Sequence, residues 1–234
     1  MQVQAAISPA KFDMATLAVC RGLGRQAASH IVAISSMRRK AIGETLFAEG
    51  DDADSIYEVV SGTLRLYKLL PDGRRQIMGF PTAGHLLGLA PEGSHVYTAE
   101  AITEVTLCRY PRASFDRLVD NVPGLARRLW NVTSDELRFA QDQLLLLGRK
   151  TATEKVASFL LLLADQQKSE DETVAVPMTR SDMGDYLGLT IETVSRTLTK
   201  LKRDKLIALP SLDKIEILDS DRLNEVATGE VFSD

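Results

Sequence analysis

The feature that most restricts the fold is a change of period near residue 120. Between Gly43 and Tyr110 the chain is cut into short runs rich in β-branched and aromatic residues: SIYEVVSG, TLRLYKLL, RRQIMGF and ITEVTLCRY. Eight of the 15 glycines fall between Gly43 and Gly93. From Leu64, the positions Leu64, Leu66 and Lys68 alternate with Arg65, Tyr67 and Leu69, approximating the period of two that belongs to strands. Pro71-Asp72-Gly73 between two such runs is a hairpin signal. Many short strands joined by turns point to an antiparallel barrel or jelly roll. From Pro123 to Leu147 there is no further proline and only Gly124, and the apolar residues recur at intervals of three and four. No single element satisfies both periods, so the chain is expected to be α+β, with strands first and helices after.

In the helical stretch Leu125, Leu129 and Val132 are spaced 4 and 3, and Leu137, Ala140, Leu144 and Leu147 are spaced 3, 4 and 3. This is a narrow seam in two segments with a slip between them. It suits a helix packed against its twin, and the small Ala140 favours close approach. The alternative is a helix packed on its own barrel. A second amphipathic helix is expected from Thr151 to about Gln167, followed by an acidic loop that runs into a short strand.

Downstream, Thr179 and Asp182 have the spacing of a capping box with Asp in place of Glu. Met183 and Leu187 form an apolar face, Gly184 sits inside the helix where a second helix would cross closely, and Gly188 ends it. Thr190 caps the next helix, in which Val194, Leu198 and Leu201 face inward. A short helix, a glycine turn and a second helix with a polar outer face make a helix–turn–helix, whose second helix enters the DNA major groove. Its first turns carry Glu192, Ser195 and Arg196 on one face. Arginine can donate two hydrogen bonds to guanine, glutamate can accept from cytosine, and serine can touch a base edge or a thymine methyl. Taken alone, Glu192 and Arg196 are also an ordinary i,i+4 pair; the glycine frame is what favours base reading. From Thr190 to Lys205 five Lys/Arg stand against two Asp/Glu, a local +3 in a chain of net charge −4. Arg180, Thr190, Thr193, Lys200, Lys202 and Arg203 are therefore the expected phosphate contacts, with Lys205 beside them. Segments 206–209 and 214–218 are expected to pair as a wing, and a terminal helix to begin near Ser220.

The chain has 234 residues, 44% hydrophobic and 26% charged, enough to bury two cores. The first residues lack a basic segment followed by an apolar run, and no stretch of 18 apolar residues occurs. A cytoplasmic protein without a signal peptide or membrane span is expected. Its thiols, Cys20 and Cys108, are then reduced. No metal-binding spacing of Cys or His appears, and His30, His85 and His95 are read as structural or surface residues. Cys108 is expected in the core and Cys20 on a loosely held arm. No nucleophile–base pairing, phosphate loop or paired carboxylates suggests an enzyme. The expected organisation is an N-terminal arm over 1–28, a β-barrel sensor-like domain over 29–118, a dimerisation helix over 119–148 and a winged helix–turn–helix over 149–234.

In this order, such elements resemble the CRP/FNR family of bacterial transcription regulators, whose barrel is of the cyclic-nucleotide-binding type. The stretch MTRSDMGDYLGLTIETVSRTL is similar to the FNR/FixK branch, in which E-x-x-S-R reads half-sites of the TTGAT type. The resemblance implies a homodimeric activator on an inverted repeat, with Glu192, Ser195 and Arg196 reading bases. It implies double-stranded DNA and RNA polymerase as partners, and the hairpin tip at Asp72, Gly73 and Arg74 as a polymerase contact. Microaerobic respiration, nitrogen fixation and denitrification genes are the implied targets. Cyclic-nucleotide members use Gly-Glu and Arg-Ser/Thr-Ala. Here Gly88-Leu89-Ala90 and Tyr97-Thr98-Ala99 stand in those places, and no Lys or Arg occurs from Gln76 to Cys108. Iron–sulfur members use four cysteines, and this chain has two. Neither cofactor is expected. The alternative is a regulator gated by a small ligand or redox cofactor in the barrel.

Overall fold

The computed structural model describes residues 17–89, 93–167 and 173–230. The chain divides into two compact units, one of residues up to Arg74 with Met78–Leu137, the other of Arg75–Ile77 with Arg138 onward.

The strand-period segments form β1 (Ser36–Lys40), β2 (Thr45–Phe47), β3 (Ser55–Ser61), β4 (Leu64–Leu69), β5 (Arg75–Gly79), β6 (Leu86–Leu87), β7 (Thr98–Ala101) and β8 (Val105–Pro111), all in the first unit except the first three residues of β5. The expected barrel is a pair of open sheets of four strands, ordered β1-β8-β3-β6 and β2-β7-β4-β5. Each is hydrogen-bonded separately and so keeps its edges. Val59, Leu87 and Leu107 from one sheet meet Phe47, Leu64 and Ala99 from the other in a single core. Burying one such side chain stabilises by roughly 1.5–3 kcal/mol. The Pro71–Gly73 turn joins β4 to β5 as expected, with the Leu70 N–H donating to Arg74 O at 2.8 Å.

Two sequence expectations fail in this unit. The loosely held arm is overturned wherever it falls on described residues; residues 1–16 lie outside them. Leu17, Ala18, Val19 and Cys20 are buried, the last three as a 3-10 turn, and α1 follows at Arg25–Ile34. The cause is a polar anchor in an apolar setting. Buried Glu58 accepts the N–H groups of Ala18 and of Val19 and the Tyr110 hydroxyl. The long helix also begins later than 119: α2 (Arg112–Asn121) ends first, and α3 (Leu125–Arg149) starts after the break at Pro123-Gly124.

In the second unit α4 (Ala152–Gln167) buries Val156, Phe159, Leu160 and Leu163, the face its period implied. β9 (Thr173–Ala175) joins the wing strands β10 (Ile207–Ala208) and β11 (Lys214–Ile217) in one antiparallel sheet of order β10-β11-β9. The wing hairpin therefore rests on a third strand. Between β9 and β10 lie α5 (Arg180–Leu187) and α6 (Ile191–Arg203), and α7 (Ser220–Thr228) closes the chain.

Candidate nucleic-acid interface

The turn that launches α6 is fixed by local chemistry. Thr179 Oγ1 accepts the Asp182 N–H at 3.1 Å, and Asp182 Oδ2 accepts the Thr179 N–H at 3.1 Å, a complete capping box. Gly188 takes φ 64°, a left-handed conformation costly for other residues, and ends α5. A Cβ on Gly184 would lie 2.7 Å from Leu189 O. The close neighbour is thus the backbone of the turn itself, not the crossing helix that the sequence led us to expect. Thr190 Oγ1 then accepts the Thr193 N–H at 3.2 Å and starts α6. Val194, Leu198 and Leu201 are buried.

With that face committed inward, Glu192, Ser195 and Arg196 are exposed on the opposite side, in the first two turns. Arg196 Nη2 reaches Thr193 Oγ1 at 3.3 Å, a contact from which it can swing to a ligand. The Glu192 carboxyl is held below its ordinary value, first by its own main-chain N–H at the helix start, then by the Thr190 hydroxyl, with Arg196 adding a little. It is therefore an anion, able only to accept hydrogen bonds. Ser195, Arg196, Thr199, Lys200 and Arg203 line one shallow depression along the helix.

The remaining phosphate candidates divide. Lys200, Lys202 and Arg203 are exposed on α6. Thr190 and Thr193 are partly engaged in capping and in a mutual hydroxyl contact at 3.1 Å. Arg180 is half-buried, its guanidinium 4.0 Å from Met183 Sδ. Asp72, Gly73 and Arg74 form an exposed turn in which Arg74 Nε meets Asp72 Oδ2 at 2.7 Å.

The seven seam residues do not share one fate. Leu125 is 0% exposed in a second apolar cluster, where Ile56, Cys108 and Tyr110 of one sheet meet Ile31 of α1 and Phe115 of α2, and Leu129 and Val132 pack against that cluster. These three pack within their own chain, as the alternative reading of the helix had it. Leu137 (60%) and Leu144 (72%) are exposed, Ala140 is exposed, and Leu147 is half-buried. Trp130, 74% exposed, was missed. Continuing the intervals of three and four backward from Leu137 through Thr133 reaches it without any slip, giving one stripe: Trp130, Thr133, Leu137, Ala140, Leu144 and Leu147.

In the first unit, Tyr97 lies within the aromatic group around Phe47, with ring centres 5.8 Å apart, and hydrogen-bonds to the Gly88 backbone. Leu89 packs against the core, Thr98 Oγ1 accepts the Glu49 N–H at 3.0 Å, and Ala99 is buried; Ala90 lies outside the described residues. A cation that sequence reasoning missed lies beyond the Lys- and Arg-free stretch Gln76–Cys108. Arg112, at the start of α2, donates to Gly88 O and, at 2.6 Å, to Ala53 O. Cys20 and Cys108 are buried in the same core cluster. Burial pushes the Cys20 thiol up to about 11, helped by Glu58 and Cys108, and raises that of Cys108 as well. Two protonated thiols do not fit a [4Fe–4S] cluster, which needs four thiolates. Among the described residues, no three Cys, His, Asp or Glu side chains group to hold a metal. No described helix is long and apolar enough to cross a membrane.

Fold and site together define a helix–turn–helix transcription regulator that carries a barrel of the cyclic-nucleotide-binding kind. Residues 37–122 match the family described as Cyclic nucleotide-binding domain, and residues 154–226 the one described as Crp-like helix-turn-helix domain. The transcriptional activatory protein AadR of Rhodopseudomonas palustris is 44% identical over 216 residues, 91% of this chain and 90% of its own. The nitrogen fixation regulation protein FixK of Bradyrhizobium diazoefficiens is 45% identical over 219 residues, 92% of this chain and 91% of its own. The structure of FixK2 from Bradyrhizobium japonicum superposes with a TM-score of 0.78 at 40% identity, covering 82% of this chain and 97% of that one. The chain belongs to the CRP/FNR family, in its FixK-like branch, and is a transcription regulator rather than an enzyme.

Proposed function

We propose that the chain is a homodimeric activator that binds an inverted repeat of TTGAT-type half-sites and acts in the cytoplasm without a cyclic nucleotide or an iron–sulfur cluster. The observation that carries this reading is the exposed trio Glu192, Ser195 and Arg196, presented on the first turns of a capped helix whose other face is buried. Arg196 takes guanine, Glu192 takes cytosine, and Ser195 fills the space between. Lys200, Lys202 and Arg203 with Arg180, Thr190 and Thr193 hold phosphates. A second copy covers the exposed stripe on α3, placing the two recognition helices about one turn of DNA, roughly 34 Å, apart.

Ligand independence is supported by Leu89 and Tyr97. They put an apolar and a phenolic side chain where the family's nucleotide-binding members use an acid and an arginine. Arg112, the nearby cation, is bonded to two main-chain carbonyls. The turn at Asp72, Gly73 and Arg74 is the proposed polymerase contact. FixK and AadR are named as a nitrogen fixation regulator and an activator, which makes microaerobic, nitrogen-fixation and denitrification genes the proposed targets.

A mobility-shift titration tests the reading with a TTGAT-N4-ATCAA duplex and a scrambled one. The matched duplex is expected to bind at least ~1000-fold more tightly, the lower end for specific over non-specific sites. Equal affinity for the two refutes it.

A further inference from the structure

We propose that Gln143 and Lys155, neither of which lies on α6, are positioning residues for base recognition. They hold the end of α5, and therefore the turn from which α6 starts. The inference rests on the reading of α6 as the base-reading helix.

The last carbonyls of a helix have no partner within it. Helix α5 has eight residues, and its end is closed from three sides. Gly184 O accepts the Leu189 N–H at 3.0 Å. Tyr186 O accepts Gln143 Nε2 from α3 at 3.1 Å. Leu187 O accepts Lys155 Nζ from α4, also at 3.1 Å. Leu147 Cδ2 lies 3.5 Å from where a Cβ on Gly188 would be, so the last turn of α3 closes on the same corner.

Lys155 is the telling residue. It is 8% exposed, and among the described residues it forms no ion pair. Burying an ammonium without a carboxylate is expensive, and a Met or Leu would fill the volume without that penalty. What the lysine adds is a cation aimed at a helix C-terminus, with a fixed donor for one carbonyl. Three residues beyond Leu187, Thr190 caps α6, and Glu192, Ser195 and Arg196 follow. Recognition groups need placement within about 0.5 Å, so a turn free to shift by an ångström would blur the match to base edges. It would leave the phosphate contacts, made by long flexible side chains, nearly as good as before.

Lys150 provides the internal comparison. It donates to Ala227 O near the end of α7 and to Ser158 Oγ, both at 2.8 Å. It uses the same chemistry on a helix that carries no base-reading residue.

The test uses the full chain, fluorescence anisotropy on TTGAT-N4-ATCAA and scrambled duplexes, and thermal unfolding of each variant. Lys155→Met should lose about tenfold or more on the matched duplex and less than about twofold on the scrambled one. Lys155→Arg should recover most of the loss, and Gln143→Leu should show a smaller loss of the same kind. Lys150→Met should lower the melting temperature and leave the ratio of affinities unchanged. The proposal is overturned if Lys155→Met keeps the wild-type ratio within about twofold, or loses affinity equally on both duplexes. If Lys155→Met does not fold, half-exposed Gln143→Leu decides, and an unchanged ratio there overturns it. A wild-type chain with no preference between the duplexes defeats the reading of α6 itself, and this inference with it.

Discussion

Glu58 shows how one buried carboxyl organises the residues around it. Among the described residues it accepts hydrogen bonds from two main-chain N–H groups and a phenol, and burial holds its carboxyl above the ordinary glutamate value of 4.5. The sign of the linkage follows. The folded chain keeps this proton over a window in which the unfolded chain has lost it, so stability falls as pH rises from 4.5 through the folded value. Glu58→Gln should flatten the fall in melting temperature between the carboxylate range and neutrality; an unchanged difference between the two curves would show that the proton is not held there. On the proposed DNA-binding face, residues differ by what they would touch. Lys202→Ala should weaken matched and scrambled duplexes alike and lower the slope of log K against log salt by about 1. A loss confined to the matched duplex would mean that Lys202 reads bases.

At the scale of elements, caps and glycines were the legible part. Thr179, Gly188 and Thr190 act as their residue types imply, because helix ends depend on nearby backbone groups that sequence spacing fixes. Gly184 was placed correctly and explained wrongly, since the neighbour it admits is the Leu189 carbonyl. Gly→Ala inside a helix ordinarily gains about 1 kcal/mol. Here Gly184→Ala should destabilise by roughly 1–3 kcal/mol, through overpacking against backbone, and lower the melting temperature; a gain in stability would contradict the close approach. What was not legible depends on partners distant in sequence. Leu17–Cys20 carry no period, and what orders them is distant in sequence: the carboxyl group of Glu58 some forty residues away, Arg128 donating to Ala18 O, and the apolar cluster that takes their side chains. Likewise Leu125, Leu129 and Val132 have seam spacing, but the apolar cluster between one sheet and the helices α1 and α2 claims them. Periodicity identifies an apolar face without saying what covers it.

At the scale of the whole molecule, the proposed dimer joins two copies along α3, each presenting α6. Trp130, Leu137 and Leu144 recur every seven residues and are exposed in the single chain. Leu144→Glu should therefore give monomers in sedimentation equilibrium and lower affinity for the inverted repeat by about 100-fold or more, since linked half-site binding is lost. A dimer that persists with full affinity would place the interface elsewhere. The most direct measurement joins dimer and recognition. Wild type and Arg196→Ala are titrated by anisotropy against TTGAT-N4-ATCAA and against duplexes with the guanine replaced in one half-site or in both. Wild type should lose about 1–3 kcal/mol with each guanine removed, while Arg196→Ala should lose clearly less at each step, keeping only what Glu192 takes from the paired cytosine. If Arg196→Ala still follows the guanines step for step as wild type does, α6 does not read them through Arg196, and the central claim fails.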